Sequence, residues 1–196
     1  MSVLVKRVGL LAFPGMTAFD LVAVYDALRR IAPMQIDREV TCRVIGTKQS
    51  IVDETGLTFI PDGVFEDLKQ FDLLYAPGGV GTRSLMHDGR FVDYLKGWPS
   101  NKPLASACTG SLLLGAAGHL KGKRATTHHL AHELLAPWCR EVVTDQRIVA
   151  DGNVVTAAGV TSALDLGLYL VDWLWGAEAR DRIADVMEYR GAPQPI

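Results

Sequence analysis

Cysteine is scarce in this 196-residue sequence, and the three present do not fall into pairs. Cys42, Cys108 and Cys139 are separated by wide gaps, with no C-x-x-C. Neither a disulfide framework nor a cysteine-rich zinc site is suggested, and a reducing cytoplasm is the expected setting. An excess of charge is also missing. Twenty Lys and Arg stand against 22 Asp and Glu, a formal net charge of −2, and no basic stripe is visible. Nucleic acid and acidic membrane surfaces are therefore poor partners. Long hydrophobic runs are absent too. Lys6-Arg7 precede the apolar Val8–Phe13, as in a signal peptide, but Pro14-Gly15 cuts that run short and no small-residue cleavage site follows. The most apolar late stretch, Leu166–Leu174, is bracketed and interrupted by Asp165 and Asp172, so no membrane span is expected. With no repeat, low-complexity segment or Pro/Gly/Ser linker, residues 1–196 read as one domain.

What remains is an ordinary soluble composition, 48% apolar and 21% charged, in which short apolar runs alternate with helical patterns. Strands are expected at Val8–Phe13, Val40–Ile45, Phe71–Ala76, Leu104–Ala107, Arg124–Thr127, Val142-Val143, Ile148–Ala150 and Val154–Ala157. Leu57–Ile60 suits a small hairpin with Ile51-Val52. Helices are expected at Leu21–Ile31, Phe91–Trp98, Ser111–Ala117, Ser162–Trp175 and Ala177–Tyr189. This alternation predicts an α/β fold, a mostly parallel sheet covered on both faces. In such sheets, sites form at the carboxyl ends of the strands.

Three strand ends carry suggestive chemistry. In Leu104-Ala-Ser-Ala-Cys108-Thr109-Gly110-Ser111 a short strand reaches Cys108 and a helix starts at once. So tight a turn holds a side chain clear of the sheet, and Gly110 allows close backbone packing. The field of the following helix N-terminus predicts a thiol pKa below that of free cysteine. Spacing alone leaves Cys108 open between a nucleophile and a small buried hydrophobe. In Tyr75-Ala-Pro77-Gly78-Gly79-Val80-Gly81, paired glycines let backbone N–H groups approach an anion, or simply make a turn. The motif lacks the spacing of a P-loop or a dinucleotide fingerprint. In Phe13-Pro-Gly-Met-Thr17-Ala-Phe-Asp20, Thr17 is a plausible N-cap and Asp20 falls in the first helical turn. There it either complements the helix dipole or leans toward Cys108 as a proton shuttle.

The histidines are less specific. His128 and His132 are four apart, a spacing that places two metal ligands on one helical face, but no further ligand lies nearby. His87 and His119 lie beside turns. Cys42 and Cys139 read as structural.

Taken together, the motifs resemble the ThiJ/PfpI superfamily, flavodoxin-like relatives of class I glutamine amidotransferases. The resemblance spans nearly the whole chain: Phe13–Leu21, Ala76–Gly79, Ser106–Gly118, Lys121–His128 and Asp151–Asp165 occur in the superfamily's order. The Cys108-Thr-Gly-Ser elbow, Ala125-Thr-Thr-His128 and His132–Pro137 look most like the isocyanide hydratase branch. Superfamily proteases carry histidine directly after the cysteine, where this chain has Thr109. Amidotransferases need a late His-x-Glu, yet no histidine follows His132. Glyoxalases and deglycases carry an early glutamate, where this chain has Asp20.

The resemblance implies a three-layer sandwich, a homodimer, a small-molecule substrate and no metal or organic cofactor. It also implies that the Cys108 thiolate attacks the terminal carbon of an isocyanide. The charge developing on nitrogen takes a proton from Asp20, and water releases an N-formamide from the resulting thioimidate. Thr109 and backbone N–H groups near Gly78 and Gly79 would orient and polarise the intermediate, and His128 would lie near the pocket. Rival readings are a stand-alone sensor of ligand or of oxidation at Cys108, and a glyoxalase-type hydrolase. The isocyanide hydratase branch runs longer at the C-terminus than this chain, which stops soon after Glu188–Pro195, and a tail there would cover the pocket or the dimer contact.

Overall fold

Seven strands form the central sheet of the computed structural model, which describes residues 4–191. β1 (Arg7–Ala12) leads through α1 (Ala18–Arg29) to β2 (Thr41–Gly46). The hairpin of β3 (Ile51–Val52) and β4 (Thr58–Phe59) stands outside the sheet, and β5 (Gly63–Val64) returns to its edge. Next come β6 (Leu73–Ala76), α2 (Thr82–Leu85), α3 (Gly89–Lys96), β7 (Leu104–Ala107) and α4 (Gly110–Ala116). β8 (Arg124–Ala125), α5 (His132–Leu135) and β9 (Glu141–Val142) follow, then β10 (Ile148–Asp151), β11 (Val154–Ala157), α6 (Ser162–Trp175) and α7 (Ala177–Val186). The sheet order is β10-β11-β7-β6-β1-β2-β5, and every pairing is parallel except β10 with β11.

All four residues of β6 and all four of β7 are buried, as expected for parallel strands covered on both faces. Each leucine so enclosed stabilises the fold by about 1.5–3 kcal/mol. One helical layer crosses closely because it carries small residues: a Cβ on Gly167 of α6 would lie 2.9 Å from the Ala27 Cβ of α1. Helix α4 packs on β6 and β7 with α2, α3 and α5 beside it, completing the flavodoxin-like three-layer arrangement. No helix among the described residues is long and apolar enough to cross a membrane.

The expected strands and helices are present, with four adjustments. The two-residue β5 and four-residue α2 are additions, too short to carry a periodic signal. The strand expected through Thr127 stops at Ala125. Beyond it, the Thr126 N–H donates to Thr156 Oγ1 (2.9 Å) and the Thr127 hydroxyl donates to the Cys108 carbonyl (2.9 Å). The last helix ends at Val186 rather than Tyr189, whose hydroxyl turns back to Asp165. Finally, His128 and His132 do not share a helical face, because His128 caps a 3₁₀ turn over His129–Ala131 and His132 opens α5. Of the C-terminal tail, residues 192–196 lie outside the described residues.

The topology selects one place for a ligand. From β1 the chain moves outward to β2, whereas from β6 it moves the other way to β7 and β11. The carboxyl ends of β1 and β6 therefore flank the switch point of the sheet, where the loops on either side diverge and leave a crevice.

Candidate active site

Three loops meet in that crevice: Phe13–Thr17 after β1, Pro77–Gly81 after β6, and the elbow at Cys108 after β7. Cys108 has φ = 52°, a left-handed conformation that a residue with a side chain seldom adopts. Such strain costs about 1–3 kcal/mol and persists only when the surroundings enforce it. Here the Cys108 N–H donates to the carbonyls of Ala157 (3.0 Å) and Ala158 (2.9 Å), while the Thr127 hydroxyl holds its carbonyl. Gly110 is required behind it, since a Cβ there would lie 2.3 Å from the Ala76 carbonyl oxygen.

The residues singled out in the sequence converge. Cys108, Thr109, Gly79 and His128 line one cavity of about 150 Å³. Asp20, fully buried on the first turn of α1, and Gly78 adjoin Cys108. Asp20 Oδ2 accepts the Gly78 N–H at 3.0 Å, whereas Oδ1 is buried without a hydrogen-bond partner. Gly78 fills the space between acid and thiol: a Cβ on it would lie 2.6 Å from the Cys108 Cβ and 2.8 Å from Asp20 Oδ2. Two larger depressions flank this cavity, one lined by Phe13, Lys48, Phe65 and Arg90, the other by Phe19, Val22, Leu57 and Phe59. Neither is lined by Cys108.

The glycine amides are already engaged. The Gly79 N–H donates to Thr109 Oγ1 (3.0 Å), and the Thr109 hydroxyl donates back to the Gly79 carbonyl (3.1 Å). Thr82 Oγ1 braces the same pair, 2.7 Å from the Gly79 oxygen and 3.0 Å from Thr109 Oγ1. The threonine after the cysteine thus fastens the glycine loop to the elbow. With the Gly78 N–H given to Asp20, neither glycine amide is free for an anion in this arrangement.

The sequence matches the model of the DJ-1/PfpI family over residues 6–172. The chain belongs to the DJ-1/PfpI family. Isonitrile hydratase from Pseudomonas putida is 36% identical to it over 188 residues, which cover 95% of this chain and 80% of that protein. The crystal structure of a ThiJ/PfpI family protein from Pseudomonas syringae superposes with a TM-score of 0.83 at 29% identity, over 97% of this chain and 77% of the other. DJ-1beta of Drosophila melanogaster shares the fold, with a TM-score of 0.84 at 22% identity over 96% of this chain and 100% of its own.

In this DJ-1/PfpI chain the electrostatics differ from the sequence expectation. The Cys108 thiol is pushed up to about 11, not down. Burial is the main cause and the neighbouring Asp20 carboxylate adds to it, with Thr109 pulling the other way and Glu54 raising it slightly further. Helix α4 spans only seven residues, and its field does not offset the desolvation of a thiolate. Burial likewise lifts Asp20 to about 7, against the Gly78 N–H, which favours the charged form. Acid and thiol therefore form a pair that rests neutral or singly charged near pH 7.

Glu54 is the residue that the sequence reading passed over. It occupies the β3–β4 turn, where the buried Asp53 carboxylate accepts the N–H groups of Thr55 and Leu57 at 2.8 Å each and fixes the bend. Glu54 Oε1 accepts the Thr17 hydroxyl (2.7 Å) and Oε2 the Val80 N–H (3.2 Å), so it ties the first loop to the glycine loop. Thr17 caps α1 by position only, its hydroxyl being spent on Glu54. Thr17, Glu54 and Arg83 all line the cavity, and Glu54 adds negative charge beside Asp20 and Cys108.

Proposed function

We propose that this chain hydrates isocyanides to N-formamides through a thioimidate on Cys108, with Asp20 moving the protons. The observation that carries this reading is the fully buried Asp20 carboxyl against Cys108, with one unpartnered oxygen and a pKa near 7. The 36% identity to a protein named isonitrile hydratase gives the substrate class.

A thiol held at about 11 must lose its proton in place, and a carboxylate near 7 is suited both to take it and to return it. The Cys108 proton passes to Asp20 as sulfur bonds to the terminal carbon of R–N≡C. The electron pair released by that addition resides on this carbon, so carbon rather than nitrogen takes the proton from Asp20. The adduct is the thioformimidate R–N=CH–S. Asp20, ionised again, draws a proton from water as the oxygen adds to the same carbon, and passes that proton to nitrogen. As the carbon–sulfur bond breaks, the hydroxyl proton of the adduct goes by way of Asp20 to sulfur, and R–NH–CHO leaves. One water is consumed and no oxidant or reductant is needed. Proton transfer of this kind contributes about 10²–10⁴-fold in rate. Thr109 holds Gly79 in place, and His128 lines the same cavity as Cys108.

The exposed Phe19, Val22 and Leu57 form an apolar face beside the cavity, suited to a second copy of the chain, and a reducing cytoplasm matches the three free cysteines. The test is intact mass after rapid quenching with phenyl isocyanide. A mass gain of one substrate on the wild type, absent in Cys108→Ala, supports the covalent step. Turnover by the Cys108→Ala variant contradicts it.

A further inference from the structure

The cavity at Cys108 is lined by groups of both charge signs. Glu54 lines it with Cys108, and Asp20 adjoins the thiol. Both Glu54 oxygens are occupied, by Thr17 and Val80, and its charge acts on Asp20 and Cys108. Arg83 and His128 line the same cavity, and the charge of Arg83 opposes protonation of the imidazole. Among the described residues the Arg83 guanidinium has no carboxylate within salt-bridge distance.

His128 is held below its ordinary value by burial, then by His129 and Arg83, so it is neutral at pH 7. Its Nδ1 accepts the Leu130 N–H at 3.2 Å, which assigns the remaining proton to Nε2 and makes that atom a donor. The guanidinium and the imidazole Nε2–H both offer donors to the cavity, and among the described residues neither has an acceptor. Val80, Leu130 and Val160 supply the apolar part of the lining.

We propose that Arg83 and His128 recognise an anionic substituent, so that the preferred substrates are isocyanides carrying a carboxylate at the end remote from the reacting carbon. The inference rests on the hydratase reading for the isocyanide group alone. The carboxylate preference follows from the cavity whatever electrophile Cys108 meets. Arg83 is exposed and His128 half-buried. Charge-assisted hydrogen bonds are the stronger kind, and Arg is the side chain whose geometry suits a carboxylate.

Alkylation of Cys108 tests the preference independently of turnover. Iodoacetate carries the carboxylate and iodoacetamide is its neutral counterpart of similar size. The ratio of their rate constants on the intact protein should fall about tenfold in Arg83→Gln, the effect of one charge-assisted hydrogen bond, and recover in part in Arg83→Lys. A ratio unchanged in Arg83→Gln overturns the inference. Formamide production from 4-isocyanobenzoate and phenyl isocyanide then separates the two claims. If neither is hydrated while the alkylation ratio still depends on Arg83, the hydratase reading fails and the anion site stands. If both are hydrated with a preference that Arg83→Gln does not alter, the hydratase reading stands and the anion site fails.

Discussion

Asp20 and Cys108 meet across a residue that has no side chain. Gly78 gives its N–H to Asp20 Oδ2 at 3.0 Å, and a Cβ on it would lie within 2.8 Å of both the carboxylate oxygen and the Cys108 Cβ. The two nearest atoms, Cys108 Cβ at 2.6 Å and the Thr109 backbone nitrogen at 2.7 Å, are not moved by a rotamer change. Gly78→Ala should therefore separate acid from thiol. We expect a stability loss of about 1–3 kcal/mol, as for other overpacked sites, and a loss of turnover out of proportion to it. Urea unfolding beside formamide assays checks both.

Asp20 makes activity and stability depend on pH in opposite ways. A base near 7 is needed ionised, so kcat/KM should rise through about pH 7, and that limb should vanish with the activity itself in Asp20→Asn. For stability, the folded value lies above the ordinary aspartate value of 3.8, so between the two the folded state holds a proton that the unfolded chain has lost. Stability then falls as pH rises from about 4 to about 7. Asp20→Asn removes this dependence, so the variant should gain on the wild type toward neutral pH and the gap should close toward pH 4. Thermal unfolding across that range measures it.

Glu54 raises Asp20 through its charge. Glu54→Gln can keep its oxygen on the Val80 N–H and donate its NH2 to the Thr17 hydroxyl oxygen, while removing that charge. The acidic limb of kcat/KM should move to lower pH by a fraction of a unit, and an unmoved limb would remove Glu54 from the electrostatics of the pair.

Thr109 is a brace between the elbow and the glycine loop. In Thr109→Val the Gly79 N–H and the Thr82 hydroxyl lose their common partner, which should cost about 1–3 kcal/mol and reduce turnover. Thr109→Ser retains the oxygen and should recover most of both. Unfolding and activity measured on the two variants distinguish the lost hydrogen bond from the lost methyl group.

The strands that carry the site were legible because burial on both faces leaves a mostly apolar run, as in Leu73–Ala76 and in Leu104–Ala107, where Ser106 is the one polar residue. The elbow was legible because Cys108-Thr-Gly follows its strand directly. Glu54 was not, since nothing in Asp53-Glu54-Thr55-Gly56 except a turn is visible in one dimension. Its position comes from long-range backbone bonds, Gly15 N–H to Val52 O at 2.9 Å and Glu54 N–H to Met16 O at 3.0 Å. The thiol pKa was misjudged for a similar reason. A helix start can be read along the chain, but the burial of Cys108 against Asp20 arises only when β1, β6 and β7 bring their ends together.

The most direct test is formamide production from phenyl isocyanide by the wild-type protein and by Cys108→Ala, followed to many turnovers per chain. The account predicts sustained formamide release by the wild type and none above background by the variant. Release that survives loss of the thiol, or none from phenyl isocyanide and 4-isocyanobenzoate alike by a wild type whose Cys108 still alkylates readily, would contradict it.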